Sequence, residues 1–253
     1  LVKVCGLTSA IDAGVALQAG ANMIGIIFAE ASPRKATVSQ AKEIVRAVQR
    51  YGERDAPLST KLSSDLKEMV SSGQWFKSTE AMLRKITLRK PLAVGVFQNQ
   101  SPSEINDIIA ETGIDVVQLH GDEPATFCDQ ILVPCLRVLH VPLSTSGEGS
   151  VDVDALVAEA KSFEGNAIAL VLDSRIPGTS GGGTGATFDW EVVTKLGGTP
   201  VILAGGLTSS NVGDAVTIAG VLGVDVSSGV EVKGQAGKKD EALVKAFIEA
   251  AKA

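Results

Sequence analysis

Eight short apolar runs, each followed by a stretch with helical character, constrain this chain more than any other feature. The runs are Val2–Cys5, Met23–Phe28, Leu92–Phe97, Val116–His120, Cys135–Val141, Ala167–Asp173, Val201–Ala204 and Val221–Ser227. Continuous apolar runs of this length fit strands buried on both faces, hence a parallel sheet with helical crossovers. The segments between them carry helix signals. Ser9 with Asp12 is a capping-box-like start to a helix through Ala19, which Gly20 stops. Ser39 precedes a helix over Gln40–Arg50, and Ser101–Pro102 opens Ser103–Thr112, stopped by Gly113. Asp122–Pro124 opens a helix through Gln130, Asp152 or Asp154 one to Ser162, and Ser209 or Asn211 one to Ala219. Asp189–Lys195 is short, and Asp240–Ala253 closes the chain.

Eight strand–helix units over residues 1–253 predict a single parallel (β/α)8 barrel, with a doubly wound open sheet as the competing arrangement. One segment breaks the rhythm. Tyr51–Lys90 is polar and locally basic, holds Tyr51, Trp75 and Phe76, and falls between the second helix and the third strand. Ser64–Val70 and Ser78–Ile86 within it read as short helices. In a barrel this insertion lies on the N-terminal face, away from chemistry. It is either a tolerated, partly disordered insertion or a docking surface for another domain.

Composition narrows the function classes. Aromatics make up only 4% of a chain that is 45% hydrophobic, so the core is aliphatic. A formal net charge of −6 argues against a broad nucleic-acid-binding face, while a local anion site built from backbone N–H groups survives it. Cys5, Cys128 and Cys135 are odd in number and lack CxxC spacing, which reads as reduced, intracellular thiols in a cytoplasmic protein with no metal. Leu1–Gly6 contains no signal-like run, and Ala167–Leu172, the longest apolar run, is far short of a membrane span. A start at Leu1 that enters a strand at once suits a domain of a longer polypeptide.

Barrel chemistry sits at the C-terminal ends of strands and in the loops that follow. Cys5 ends the first strand and reads as a nucleophile or general base, its thiol lowered by a nearby helix N-terminus, or as a small buried hydrophobe. Asp173 ends a dry apolar run and reads as a proton donor with a raised pKa, or as a turn cap. Gly205, Gly206, Ser228 and Gly229 close the seventh and eighth strands, where barrels recurrently bind phosphate through backbone N–H groups; two ordinary turns is the plain alternative. Arg34 carries a fork that matches a carboxylate, though spacing alone favours a solvated surface arginine. Thr179–Gly185, with Gly181, Gly182 and Gly183, is a flexible connector or a lid, and matches no nucleotide-binding pattern. His120 is a pocket or core histidine rather than a metal ligand, since Asp122 and Glu123 do not form an HExxH-type arrangement with it.

Several pieces recur in order over nearly the whole chain. They are Lys3-Val-Cys-Gly-Leu-Thr8, Gly25-Ile-Ile-Phe28 with Ser32-Pro-Arg34, Val94-Gly-Val-Phe97, Val117-Gln-Leu-His-Gly121 and Leu172-Asp173. Gly181–Gly185 with Thr187-Phe-Asp-Trp190, Leu203-Ala-Gly-Gly-Leu207 with Asn211, and Val224–Glu231 with Gly237-Lys-Lys-Asp240 complete the set. Together they resemble the phosphoribosylanthranilate isomerases of tryptophan biosynthesis. Tyr51–Lys90 departs from them in being longer than the compact family pattern. The resemblance implies an Amadori rearrangement of a small sugar-phosphate substrate without metal or organic cofactor. It implies Asp173 as general acid at the furanose ring oxygen and Cys5, as thiolate, as general base at C2′. Arg34 would meet the anthranilate carboxylate, and backbone groups at Gly205, Gly206, Ser228 and Gly229 the phosphate. It also raises fusion to, or docking with, other tryptophan-pathway domains. The rivals are another sugar-phosphate aldose–ketose isomerase and a catalytically silent barrel serving as scaffold. The histidine-pathway isomerase is disfavoured because it places an Asp where this chain has Cys5, and indole-glycerol-phosphate synthase for want of a Lys at the equivalent strand ends.

Overall fold

A computed structural model describes residues 1–52, 74–88, 90–142, 152–175 and 187–253. Eight strands form the sheet: β1 (Val2–Val4), β2 (Met23–Ile27), β3 (Leu92–Phe97), β4 (Val116–Leu119), β5 (Cys135–Pro142), β6 (Ala167–Arg175), β7 (Val201–Leu203) and β8 (Val221–Val226). Each pairs in parallel with the next, and β8 pairs with β1, so the barrel closes and the open-sheet alternative falls away.

Among the described residues the α-helices are α1 (Ala10–Ala19), α2 (Val38–Tyr51), α3 (Trp75–Thr87), α4 (Pro102–Thr112), α5 (Val153–Ser162), α6 (Val212–Thr217) and α7 (Glu241–Lys252). Their starts follow capping chemistry. Thr37, not Ser39, caps α2: its hydroxyl accepts from Gln40 N–H while the Gln40 side chain accepts from Thr37 N–H. Ser101 and Glu104 repeat the device on α4. The segments after β4 and before β7 are 3-10 turns, Ala125–Gln130 and Trp190–Lys195, not the α-helix expected through Gln130. Six residues between Pro124 and the run into Pro134 leave too little length for an α-helix to propagate.

Strand alternation sorts the side chains into two apolar layers. One set packs outward under the helices, with Val4, Ile24, Ala93, Val117, Leu139 and Leu172 among them. The other fills the barrel, and there Met23, Leu92, Val116, Leu136, Ile168 and Leu222 meet Trp75, Phe76 and Leu83 of α3. Trp75 Nε1 donates to the carbonyl of Ala167 at 2.6 Å. The described part of the Tyr51–Lys90 insertion therefore floors the barrel at its N-terminal end; Ser64–Val70 lies outside the described residues. Among the described residues, no helix is long and apolar enough to cross a membrane.

Candidate active site

At the opposite end of the barrel, one pocket gathers Cys5, Arg34, His120, Asp173, Gly205, Gly206, Ser228 and Gly229, every described residue that the sequence singled out. Gly181, Gly182 and Gly183, with the rest of Thr179–Gly185, lie outside the described residues.

β1 is short, but its alternation places Lys3 and Cys5 on the same inward face. Register then sets Lys3 beside Asp225 of β8. The Lys3 ammonium is 1% exposed and sits 2.5 Å from Asp225 Oδ2. Lys3 and Cys5 also act on each other electrostatically along that face. Burial opposes its charge, but Asp225 and Cys5 outweigh that and hold the ammonium above its ordinary range. Cys5 is pinned by its N–H, which donates to Val226 O at 2.8 Å. Across from it stands Gly25, where a Cβ would come within 2.5 Å of the sulfur, so only glycine leaves room for the thiol.

Burial is the main influence on the Cys5 thiol and pushes it up; Lys3 and Lys239 pull it down, and Asp225 adds to the rise. The helix N-terminus that follows Cys5 starts only at Ala10, where Ser9 caps the first turn. Asp173 is 6% exposed, and burial together with the Asp225 charge raises its carboxyl to about 7. The strand carrying it runs two residues further than the apolar run, and Asp173 pairs in register with His140 of β5. His120 Nε2 lies 3.5 Å from Asp173 Oδ2. The loop holding His120 is locked from below: Glu123 accepts from Asn99 N–H, Gly121 N–H and Arg137, whose guanidinium also donates to the carbonyls of Leu119, Gly121 and Glu123.

Gly205 and Gly206 both have positive φ, 82° and 66°, and a Cβ on Gly205 would strike Ser174 and Asp173. Asn211 braces this turn, donating to Gly206 O and accepting from Thr208 N–H. Arg34 is not a free surface residue. Its Nε and Nη2 donate to the two carboxylate oxygens of Glu231 at 2.8 and 2.9 Å, and Nη1 has no partner among the described residues. Glu231 in turn accepts from Lys239 Nζ and Gly237 N–H. Sequence reasoning gave no role to Lys3, Gln118, Asp225, Ser227, Glu231 or Lys239. Side-chain oxygens of Gln118, Asp225 and Ser227 are buried in this pocket without a hydrogen-bond partner among the described residues.

The family model for N-(5′-phosphoribosyl)anthranilate (PRA) isomerase matches residues 53–250. The chain belongs to the PRA isomerase family. It is 35% identical over 246 residues to N-(5′-phosphoribosyl)anthranilate isomerase of Neisseria meningitidis, covering 97% of this chain and 93% of that protein. It is 45% identical over 255 residues to the tryptophan biosynthesis protein TRP1 of Phytophthora nicotianae, covering 100% of this chain and 47% of that one. The PRA isomerase crystal structure from Thermotoga maritima superposes with a TM-score of 0.68 at 26% identity, covering 99% of this chain and 98% of that chain. The chain thus spans nearly all of a stand-alone family member and about half of a longer relative.

Proposed function

We propose that the chain isomerises N-(5-phosphoribosyl)anthranilate to 1-(2-carboxyphenylamino)-1-deoxyribulose 5-phosphate, with Asp173 as general acid and Cys5 as general base. Asp173 donates its proton to the ring oxygen, the C1′–O bond breaks, and the nitrogen lone pair forms the Schiff base. The Cys5 thiolate takes the C2′ proton, and the C–H electrons give the enolamine. Ketonisation adds a proton at C1′ and removes one from the C2′ hydroxyl, which resets both groups with no net proton gain. Arg34 faces the anthranilate carboxylate, and backbone N–H groups at Gly205, Gly206, Ser228 and Gly229 hold the phosphate. That distant anchor supplies binding energy that orients the reacting carbon.

The observation that carries this reading is the Asp173 carboxyl, raised to about 7 in the same pocket as a thiol, with turns of the phosphate-binding kind beside it. Relatives that continue well beyond this chain support its being the isomerase segment of a longer tryptophan-pathway polypeptide. Three buried free cysteines support a cytoplasmic setting. The test is the loss of phosphoribosylanthranilate fluorescence on adding the purified protein, with Asp173→Asn as control. Fast loss with wild type alone supports both reaction and acid; no loss with folded wild type moves the reading to a scaffold barrel.

A further inference from the structure

An ammonium in the centre of a barrel needs a reason. Lys3 heads the fully buried large side chains, and its register partner on β2 is the buried Met23, so an apolar side chain at this position would carry no charge to desolvate. The ammonium instead donates to Asp225 Oδ2 at 2.5 Å, and the Cys5 thiol stands two residues along the same inward strand face, where the two groups act on each other through space. Asp225 spends only one oxygen on Lys3, and its Oδ1 is buried in the pocket without a partner among the described residues.

We propose that Lys3 is a positioning residue for the isomerase reaction: its buried ammonium, paired with Asp225 beside Cys5, favours the ionised form of the Cys5 sulfur against the burial that opposes it. Asp225 sets how much of that charge reaches the sulfur. The charged groups around Cys5 are few enough to make this specific. Lys3 faces it from β1, Asp225 from β8 and Lys239 from the loop after β8, while β2 presents Gly25, which has no charge. Arg34 lines the same pocket but is tied to Glu231. The same pair acts on Asp173 across the pocket in the same senses as on Cys5, Asp225 pushing the carboxyl up and Lys3 pulling it down. Removing the cation disfavours the thiolate; removing the competing carboxylate favours it.

This inference rests on Cys5 as the base, but its test does not need substrate. The rate of iodoacetamide alkylation is followed against pH in wild type, Lys3→Met, Lys3→Arg and Asp225→Asn proteins, with Cys5 resolved from Cys128 and Cys135 by peptide mass spectrometry. Lys3→Met is expected to move the Cys5 midpoint upward by about one pH unit, roughly a tenfold slower reaction on the thiolate-limited side. Lys3→Arg is expected to restore most of the shift, and Asp225→Asn to move the midpoint downward. Midpoints that stay put, or that move in the same direction for Lys3→Met and Asp225→Asn, would overturn the proposal in favour of a structural staple. Should Lys3→Met fail to fold by circular dichroism, the isosteric Asp225→Asn decides alone, a lowered midpoint supporting the proposal and an unchanged or raised one refuting it. Wild type that lacks isomerase activity yet gives the opposed shifts would sink the proposed reaction and leave the Lys3–Cys5 coupling intact.

Discussion

Both carboxylate oxygens of Glu231 engage the Nε–Nη2 edge of Arg34, although the two residues are 197 positions apart. A bidentate pair fixes the plane of the guanidinium as well as its position. Lys239 and the Gly237 N–H hold Glu231 from the other side, so the turn after β8 aims a side chain delivered by the loop after β2. If Arg34 meets the anthranilate carboxylate, Arg34→Ala chiefly raises KM. Glu231→Gln, which keeps the shape but weakens the grip, should raise KM by roughly tenfold, about 1.4 kcal/mol, with a smaller change in kcat. Steady-state kinetics checks both. An unchanged KM in Arg34→Ala would remove the clamp.

The pH dependence of kcat/KM follows from the two environments. Asp173 titrates at about 7, and burial holds the Cys5 thiol above its ordinary range. The reactive form needs the proton on Asp173 and none on Cys5, the reverse of what those affinities favour. Below about 7 both groups are protonated and the base is missing. Above the thiol's range both are ionised and the acid is missing. Between them one proton is shared, and a small constant fraction carries it on Asp173. A bell is therefore expected, rising through about 7 and falling on the far side of the thiol range, with both limbs belonging to the coupled pair. A profile flat from pH 6 to 8 would contradict the Asp173 assignment.

Much of this arrangement is legible in the chain because period and position carry it. Eight apolar runs place Cys5, Asp173, Gly205 and Ser228 at strand ends, and a barrel brings strand ends together. Partnerships across the barrel are harder to read. Lys3 and Cys5 share a face by alternation, but the Lys3–Asp225 pair exists only because β8 closes on β1. Arg34 reads as a surface arginine until the turn carrying Glu231 and Lys239 folds back on it. Ser174 and Arg175 follow the last apolar residue, so the extension of β6 beside β5 leaves no hydrophobic trace. The insertion reads as polar because α3 hides one face only: Lys77, Arg84 and Lys85 are exposed while Trp75, Phe76 and Leu83 are buried.

Asp173→Asn separates chemistry from stability. Turnover should fall by ~10²–10⁴, as for a lost general acid, and Cys5→Ser should fall over a similar range. Stability should move the other way. The folded-state value of about 7 lies above the reference of 3.8, so the wild-type contribution is fully present below about pH 4 and is lost as pH rises through 7. A shift of roughly three units at ~1.36 kcal/mol each sets an upper bound near ~4 kcal/mol at pH 8. Asn carries no charge to bury. The variant is therefore expected to melt higher than wild type at pH 8, with the gap closing toward pH 4–5. A gap that widens on acidification would show that the carboxyl is not raised.

Trp75→Ala tests the floor of the barrel. Trp75 is 4% exposed, packs among the lower layer of strand residues and donates to the carbonyl of Ala167, the first residue of β6. Removing a buried indole from such a site costs about 3–5 kcal/mol through lost burial and the cavity left behind. Trp75→Phe keeps most of the ring packing but strands that carbonyl, for about 1–2 kcal/mol. Urea unfolding should rank the proteins wild type, Trp75→Phe, Trp75→Ala. Because α3 meets the N-terminal strand ends and the pocket lies at the C-terminal ends, kcat measured well below the unfolding midpoint should stay within about twofold of wild type. If Trp75→Ala unfolds at the wild-type urea concentration, α3 is an appendage resting on the barrel; if it loses turnover while remaining folded, the floor and the active site are coupled through the Lys3 layer between them.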